Sequence, residues 1–229
     1  LIDPQTRTVR NGVARRYDPE NWANYAFQDA SRQEVNLNMS GGSDTTTYYT
    51  SIGYIEDVGY SINSDFKRYS ARLNVSSRPK EWLQTNARLG YSYQVTNNGG
   101  QSSDSGSVFW VTTNVPSIYP LFMRDSDGNL VDDPYYGGSR YDYSDEPGYS
   151  RGFAPLTNAI ADAQLGVRET IGHNFNANLE FNVDLMEGLK LENRFGMQYT
   201  MNNRDYINDN YDDYDNNIQG VHERGLRGY

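Results

Sequence analysis

The sequence has 229 residues, of which 30 are acidic and 20 are basic, and its net charge is −10. Because an acidic chain repels phosphate backbones, we expect no nucleic-acid partner. It contains no cysteine and two histidines, His173 and His222, which excludes disulfide scaffolds, thiol nucleophiles and zinc sites with cysteine ligands. Hydrophobic residues make up 36%, and no apolar run approaches the roughly 20 residues of a membrane helix. A barrel wall stays possible, since its strands need apolar residues only at alternate positions.

Residues 1–32 are expected to form a loop with a short helix that leads into a series of strands. The sequence Asp18-Pro19-Glu20 is typical of a helix start, with proline in the first turn, and residues 21–30 would follow as helix. In residues 33–95, apolar and polar side chains alternate, and this period of two predicts β-strands. The longest run covers residues 83–95, and shorter runs cover residues 35–39, 48–54 and 69–75.

Residues 96–158 predict one long loop, rich in Gly, Ser and Asp, with one or two helical turns in residues 108–115. Its aromatic residues are candidates for binding a substrate or a partner, because flat aromatic faces stack on sugar rings and pack against proteins. The alternative is that these rings fold the loop on itself as a small core. The candidates are Trp110, Tyr119, Tyr135, Tyr136, Tyr141 and Tyr143.

Strands are predicted again in residues 159–202, with alternation over residues 173–185 and 189–201. Residues 159–171 would belong to the long loop or to an extension of the following strand. Residues 203–229, with a run of aspartates and tyrosines at 209–217, are predicted to form an acidic extracellular loop.

Strand length and turn spacing predict an all-β fold, namely the wall of an antiparallel transmembrane β-barrel with short periplasmic turns and long extracellular loops. Three runs alternate for about 13 residues, whereas strands of soluble sandwiches average about 5 to 6. Ten residues at ~3.3 Å each, tilted by about 40°, span roughly 25 Å, the height of the lipid-facing band of such barrels. Tight turns near Gly41, Pro79 and Gly188 would be periplasmic, and the longer loops would be extracellular. The charged side chains that would face the barrel interior are Arg72, Arg88, Arg194, Glu180, Asp184 and Glu192.

Motifs for catalysis are missing from the sequence, so we expect no enzyme. It has no Gly-x-Ser-x-Gly elbow, phosphate-binding glycine loop or His-Glu-x-x-His pair. Asp125, Asp127 and Asn129 resemble the start of a calcium loop, but the distal glutamate is absent, and an Asp-Gly turn between short strands accounts for them better. We therefore predict no metal and no cofactor.

Several segments together resemble a known family. A Ser40-Gly41-Gly42-Ser43 turn precedes a strand that begins with Tyr48-Tyr49 and ends with Gly53-Tyr54. With Asn21-Trp22, Phe27, residues 64–74 and Glu187-Gly188-Leu189-Lys190, these pieces resemble SusC/RagA-type TonB-dependent outer-membrane transporters of Bacteroidota. The match is good over residues 21–82 and looser over residues 158–201.

The resemblance implies that this chain is a partial barrel segment located in the cell outer membrane. Members of the family have barrels of about 22 strands that are closed by a plug. They import nutrients such as oligosaccharides or peptides. The implied partners are a SusD-like surface lipoprotein, the TonB energy-coupling complex, outer-membrane lipid and a glycan or peptide cargo.

Two other interpretations stay open from the residues alone. A chain of this length could close a small complete outer-membrane barrel with an adhesive or structural role, which requires eight strands. It could also form a soluble β-sandwich that binds carbohydrate. The sandwich would pack the apolar positions of its strands inside a two-layer core.

Overall fold

The computed structural model describes residues 5–6, 18–99, 106–134, 136–144, 151–155, 157–207 and 220–225. Within them, seven strands form one antiparallel sheet in which each strand pairs with the next along the chain. The strands are β1 (Ser31–Gly42), β2 (Thr46–Val58), β3 (Ser64–Lys80), β4 (Leu83–Asn98), β5 (Val167–Met186), β6 (Leu189–Ile207) and β7 (Gly220–Gly225). The predicted all-β antiparallel architecture is confirmed.

The sheet has two faces of opposite character, because side chains alternate along each strand and the register keeps like residues in one row. One row contains Leu37, Ile52, Ala71, Tyr91, Phe175 and Tyr199. We call the side on which it lies the apolar face. The adjacent row contains Asn38, Ser51, Arg72, Gly90, Asn176 and Gln198. It lies on the opposite side, which we call the polar face.

The tight connections all lie at one end of the sheet, the short-turn end. Glu187-Gly188 forms the predicted turn between β5 and β6, and Gly188 has the positive φ of 81° that favours glycine. The turn predicted around Pro79 lies slightly later, because β3 continues to Lys80 and the chain reverses at Glu81 and Trp82. Proline is accommodated there because the ladder between β3 and β4 shifts register after Ser77.

Three short helices lie at the opposite end, the loop end: α1 (Ala23–Ala26), α2 (Val108–Asn114) and α3 (Ala159–Leu165). The helix predicted over residues 21–30 is shorter than expected, because Phe27 turns extended and bridges to Ser61. Residues 108–115 contain the predicted helical turns as α2. Residues 159–171 divide between a helix, α3, and an extension of the strand, since β5 begins at Val167.

The buried apolar core lies at the loop end of the sheet, in a region that we call the cap. The cap comprises the described residues among 18–30, 59–63 and 106–165. Its core brings together Trp22 and Ala26 from the N-terminal segment, Ile62 from the β2–β3 loop, and Val108, Val111, Val115, Leu121, Ala159, Ile160 and Ala163. Among the described residues, no helix has the length and apolar character needed to cross a membrane.

Candidate functional site

The apolar face is exposed, although it carries large hydrophobic side chains. Leu37 is 67% exposed, Phe195 62% and Met197 56%. Within the described residues the strands form a single sheet, so no second sheet covers this face as the sandwich interpretation requires. The ten steps from His173 to Val183 along β5, at about 3.3 Å each, would span roughly 25 Å at the tilt of about 40° that is typical of barrel strands. This height equals that of the lipid-facing band of outer-membrane barrels.

A row of aromatic rings borders the apolar face near the loop end. The ring centroids of Tyr54 and Tyr69 are 4.9 Å apart, those of Tyr69 and Tyr93 6.2 Å, and those of Tyr93 and His173 5.1 Å. Toward the short-turn end, the rings of Phe181 and Phe195 meet edge to face at 6.4 Å. Tyrosine rings along the border of an apolar band, as at the loop end, are typical of a membrane–water interface.

The polar face carries asparagine, serine and glycine at its centre, in three rows that we call the central rows. They are Asn36, Gly53, Ser70, Ser92, Asn174 and Thr200; then Asn38, Ser51, Arg72, Gly90, Asn176 and Gln198; then Ser40, Tyr49, Asn74, Arg88, Asn178 and Gly196. A groove of about 480 Å³ runs across part of these rows.

Glycines on the polar face leave room for asparagine side chains from neighbouring strands. A Cβ at Gly90 would lie 2.6 Å from Asn176 Oδ1, and one at Gly53 would lie 2.7 Å from Asn36 Oδ1. At Gly196, Asn178 Oδ1 would lie 3.3 Å from the added Cβ. The asparagine amides therefore occupy the space that a side chain at these glycine positions would need.

Charged side chains on the polar face divide into paired and unpaired groups. Toward the short-turn end, Arg194 Nε lies 3.5 Å from Glu180 Oε1, and toward the loop end Arg32 Nη1 lies 3.1 Å from Asp57 Oδ2. Arg72 and Arg88 are exposed and form no ion pair with any described residue. Because Arg72 pairs with Gly90 and Asn74 with Arg88, the two arginines are diagonal neighbours on adjacent strands.

The aromatic candidates of the long loop have different environments in the cap. Tyr143 is buried, and its hydroxyl donates to Asp162 Oδ1 at 2.7 Å. Trp110 and Tyr119 are half-buried against the core, and the Trp110 ring stacks on Phe153 with 5.6 Å between centroids. Tyr136 is 52% exposed. Tyr135 lies outside the described residues.

Tyr141 connects two parts of the cap. Its ring lies 5.0 Å from that of Phe122, and its hydroxyl donates to Gln164 Oε1. Burial raises the pKa of this phenol above its usual range, so Tyr141 stays neutral and acts as a hydrogen-bond donor. The structure therefore gives Tyr141 and Tyr143 hydrogen bonds within the cap, while Tyr136 is exposed and Trp110 and Tyr119 keep part of their surface accessible.

The carboxylate of Asp125 accepts hydrogen bonds from the backbone of its own turn. Asp125 Oδ1 accepts from the backbone N–H groups of Asp127 at 2.9 Å and Asn129 at 2.8 Å. Arg124 and Leu130, which flank the turn, form an antiparallel β-bridge with each other. This arrangement is the Asp-Gly turn between short strands that was favoured from the sequence. The described residues contain no group of three or more metal-ligating side chains.

Two contacts that hold the cap together were not predicted from sequence. Glu20 forms an ion pair with Arg124, and it also accepts from the backbone N–H of Leu121 at 2.7 Å. Asn158, fully buried, donates to the carbonyls of Leu121 and Asp142 at 3.1 Å each and caps α3 through Ala161 N. The capping of α3 by Asn158 had a signal in the sequence, because asparagine before an alanine-rich apolar run is a typical N-cap.

The sheet, with its exposed apolar face and its polar face, matches a fragment of a barrel-type transporter. No family model matches the chain. The chain is 24% identical over 159 residues to TonB-dependent receptor P26 of Formosa agariphila, covering 69% of this chain and 14% of that receptor. It is 20% identical over 189 residues to TonB-dependent receptor SusC of Bacteroides thetaiotaomicron, covering 78% of this chain and 18% of SusC.

Solved structures agree with these relatives. The chain superposes on the RagAB peptide importer in its closed-closed state with a TM-score of 0.60 and 27% identity, covering 83% of this chain and 20% of that chain. The resemblance to SusC/RagA-type TonB-dependent receptors is thus confirmed, and so is the predicted outer-membrane location. The matched proteins are receptors and an importer rather than enzymes. This chain spans a fifth or less of the length of each.

Proposed function

We propose that this chain forms part of the barrel wall and outer surface of a TonB-dependent nutrient importer of SusC type. The observation that carries the proposal is the two-faced sheet. Its apolar face would contact outer-membrane lipid over roughly 25 Å. Its polar face would line the interior through which an oligosaccharide or a peptide passes. The similarity to SusC and to a peptide importer supports this assignment.

The cap would lie outside the cell, above the barrel wall. Its N-terminal segment is joined to the long loop by the ion pair of Glu20 with Arg124 and by the hydrogen bond from Trp22 Nε1 to Tyr119 O at 3.1 Å. Its β2–β3 loop is joined to the N-terminal segment by the hydrogen bond from the backbone N–H of Ile62 to Ala26 O at 3.1 Å. A SusD-like surface lipoprotein would contact this side, and Trp110, Tyr119 and Tyr136 are aromatic candidates that keep accessible surface. Tyr135 stays a candidate from sequence. The TonB complex would supply energy from the periplasmic side.

Import is tested in the source bacterium, with the gene that contains this segment deleted and then restored. Uptake of fluorescent oligosaccharides and peptides should fall on deletion, return on restoration, and fall equally when TonB is inactivated. Uptake that is independent of TonB, or recovery of the protein in the soluble fraction, would contradict the proposal.

Sidedness is tested with introduced cysteines, because this segment has none of its own. A membrane-impermeant maleimide should label Asp127→Cys in the cap on intact cells. Lys80→Cys, at the short-turn end, should be labelled only after the outer membrane is opened. Labelling of Lys80→Cys on intact cells would reverse the assigned orientation.

A further inference from the structure

The centre of the polar face holds positive charge that the described residues do not neutralise. Arg72 and Arg88 are exposed diagonal neighbours in the central rows and form no ion pair with any described residue. No acidic side chain occupies the central rows. This pair runs against the overall charge of the chain, in which 30 acidic residues exceed 20 basic ones.

Two neighbouring guanidinium groups need an anion when they are enclosed. Like charges on adjacent strands destabilise a sheet, and a charge removed from water without a partner is costly. If the polar face lines an interior, as in the proposed function on which this step rests, both arginines would lose part of their hydration. A carboxylate is the natural ligand, because the guanidinium fork binds both of its oxygens.

The surroundings of the arginine pair favour a peptide over a sugar as the carrier of that carboxylate. Asparagine side chains, such as Asn38, Asn74 and Asn176, offer a donor and an acceptor each and so match the groups of a peptide backbone. Gly90 and Gly196 have no side chains, so they leave space above the strands. Tyr49 is the one aromatic residue in the central rows, and its hydroxyl donates to Asn38 at 2.9 Å, so a stacking platform for sugar rings is absent there.

We propose that Arg72 and Arg88 form a carboxylate-binding site on the polar face, which selects acidic peptides as cargo. Two flanking arginines are already paired, since Arg194 pairs with Glu180 and Arg32 with Asp57. Arg68 also lines the groove, but it lies outside the central rows, in the row that contains Glu34. Arg72 and Arg88 are the charged side chains of the central rows, and the preference for negative charge is assigned to them.

The test measures binding of two blocked five-residue peptides to the full-length receptor purified in detergent. One peptide contains two glutamates, and the other has glutamines in their place. The glutamate peptide should bind about tenfold more tightly, which corresponds to about 1.4 kcal/mol. The preference should weaken as sodium chloride is raised, because the charges are partly solvated.

The double variant R72Q/R88Q should lose the preference, while R72K/R88K should keep part of it because lysine retains the charge without the fork. K80Q, which removes a charge at the short-turn end, is the matched control and should behave as wild type. Should the double variant not assemble, the single variants R72Q and R88Q give the same comparison. Equal binding of both peptides, binding of neither, or a preference that survives R72Q/R88Q would overturn the site.

The outcome is separable from that of the proposed function. A receptor that is located in the outer membrane and imports through TonB, but shows no preference for glutamate, would refute the carboxylate site alone. A protein absent from the outer membrane would refute the proposed function.

Discussion

In the cap, Val108, Leu121 and Ile160 are fully buried, whereas on the sheet Leu37, Phe195 and Met197 are more than half exposed. The two regions are both rich in apolar side chains, yet only the cap covers them with its own chain. A water-soluble layer gains stability by removing apolar surface from water. An exposed apolar face of this size requires another medium, and the row of tyrosine rings along its loop-end border fits a membrane–water interface. The same chain is therefore adapted to two solvents.

The largest effect on stability is expected from a charge introduced on the apolar face of the sheet. Met197→Arg should destabilise the assembled protein by about 2–4 kcal/mol, because an arginine near the bilayer midplane is costly. Gln198→Arg, one residue further on the polar face, should change stability by less than about 0.5 kcal/mol. Urea unfolding in lipid vesicles measures both. Equal effects of the two substitutions would show that the faces do not differ in environment.

The next largest effect is expected in the cap, at Asn158. Asn158→Ala removes two buried donors and the cap of α3, and it leaves the carbonyls of Leu121 and Asp142 without that partner. We expect a loss of about 3 kcal/mol in the local stability of the cap.

The measurement for Asn158 is limited proteolysis of the full-length protein in detergent. Cleavage should accelerate within residues 106–165 and stay unchanged at the β5–β6 turn. Asn114→Ala, which removes one exposed hydrogen bond to Trp110 O, is the control. Cleavage that rises equally in cap and sheet would show that the two regions unfold together.

Sequence alone predicted the sheet better than the cap, and the reason is physical. A strand's faces follow from local alternation, so the row of Leu37 and the row of Asn38 could be assigned to opposite sides. The cap depends on contacts between distant segments, such as Trp22 with Tyr119, 97 residues apart. Whether Tyr143 binds a partner or Asp162 could not be inferred from spacing. The helix α3 was missed because its seven residues are too short for a clear helical period, although Asn158 marked its start.

A smaller effect is expected at Gly90, in the central rows of the polar face. Gly90→Ala should destabilise the sheet by about 1 kcal/mol, because its Cβ would displace the amide of Asn176. Gly196→Ala, where Asn178 Oδ1 is 3.3 Å from the added Cβ, should have a weaker effect. The double variant Gly90→Ala with Asn176→Ala should recover most of the loss. Absence of recovery in urea unfolding would place the cause in the backbone rather than in the asparagine.

The smallest effect is expected at the Asp125 turn of the cap when the pH is lowered. Hydrogen bonds from Asn129, first from its side chain and then from its backbone, hold the pKa of Asp125 below its ordinary value of 3.8. The ionised carboxylate therefore stabilises the turn above pH 3.8, and this contribution is lost as the pH falls through the lowered folded pKa. Hydrogen exchange of peptides covering residues 124–130 should accelerate in that range, beyond the intrinsic pH dependence. Asp125→Asn cannot titrate and should remove this acceleration. If both proteins gave the same pH profile, the turn would owe its stability to its backbone bridges, and the acid sensitivity of the cap would have another origin.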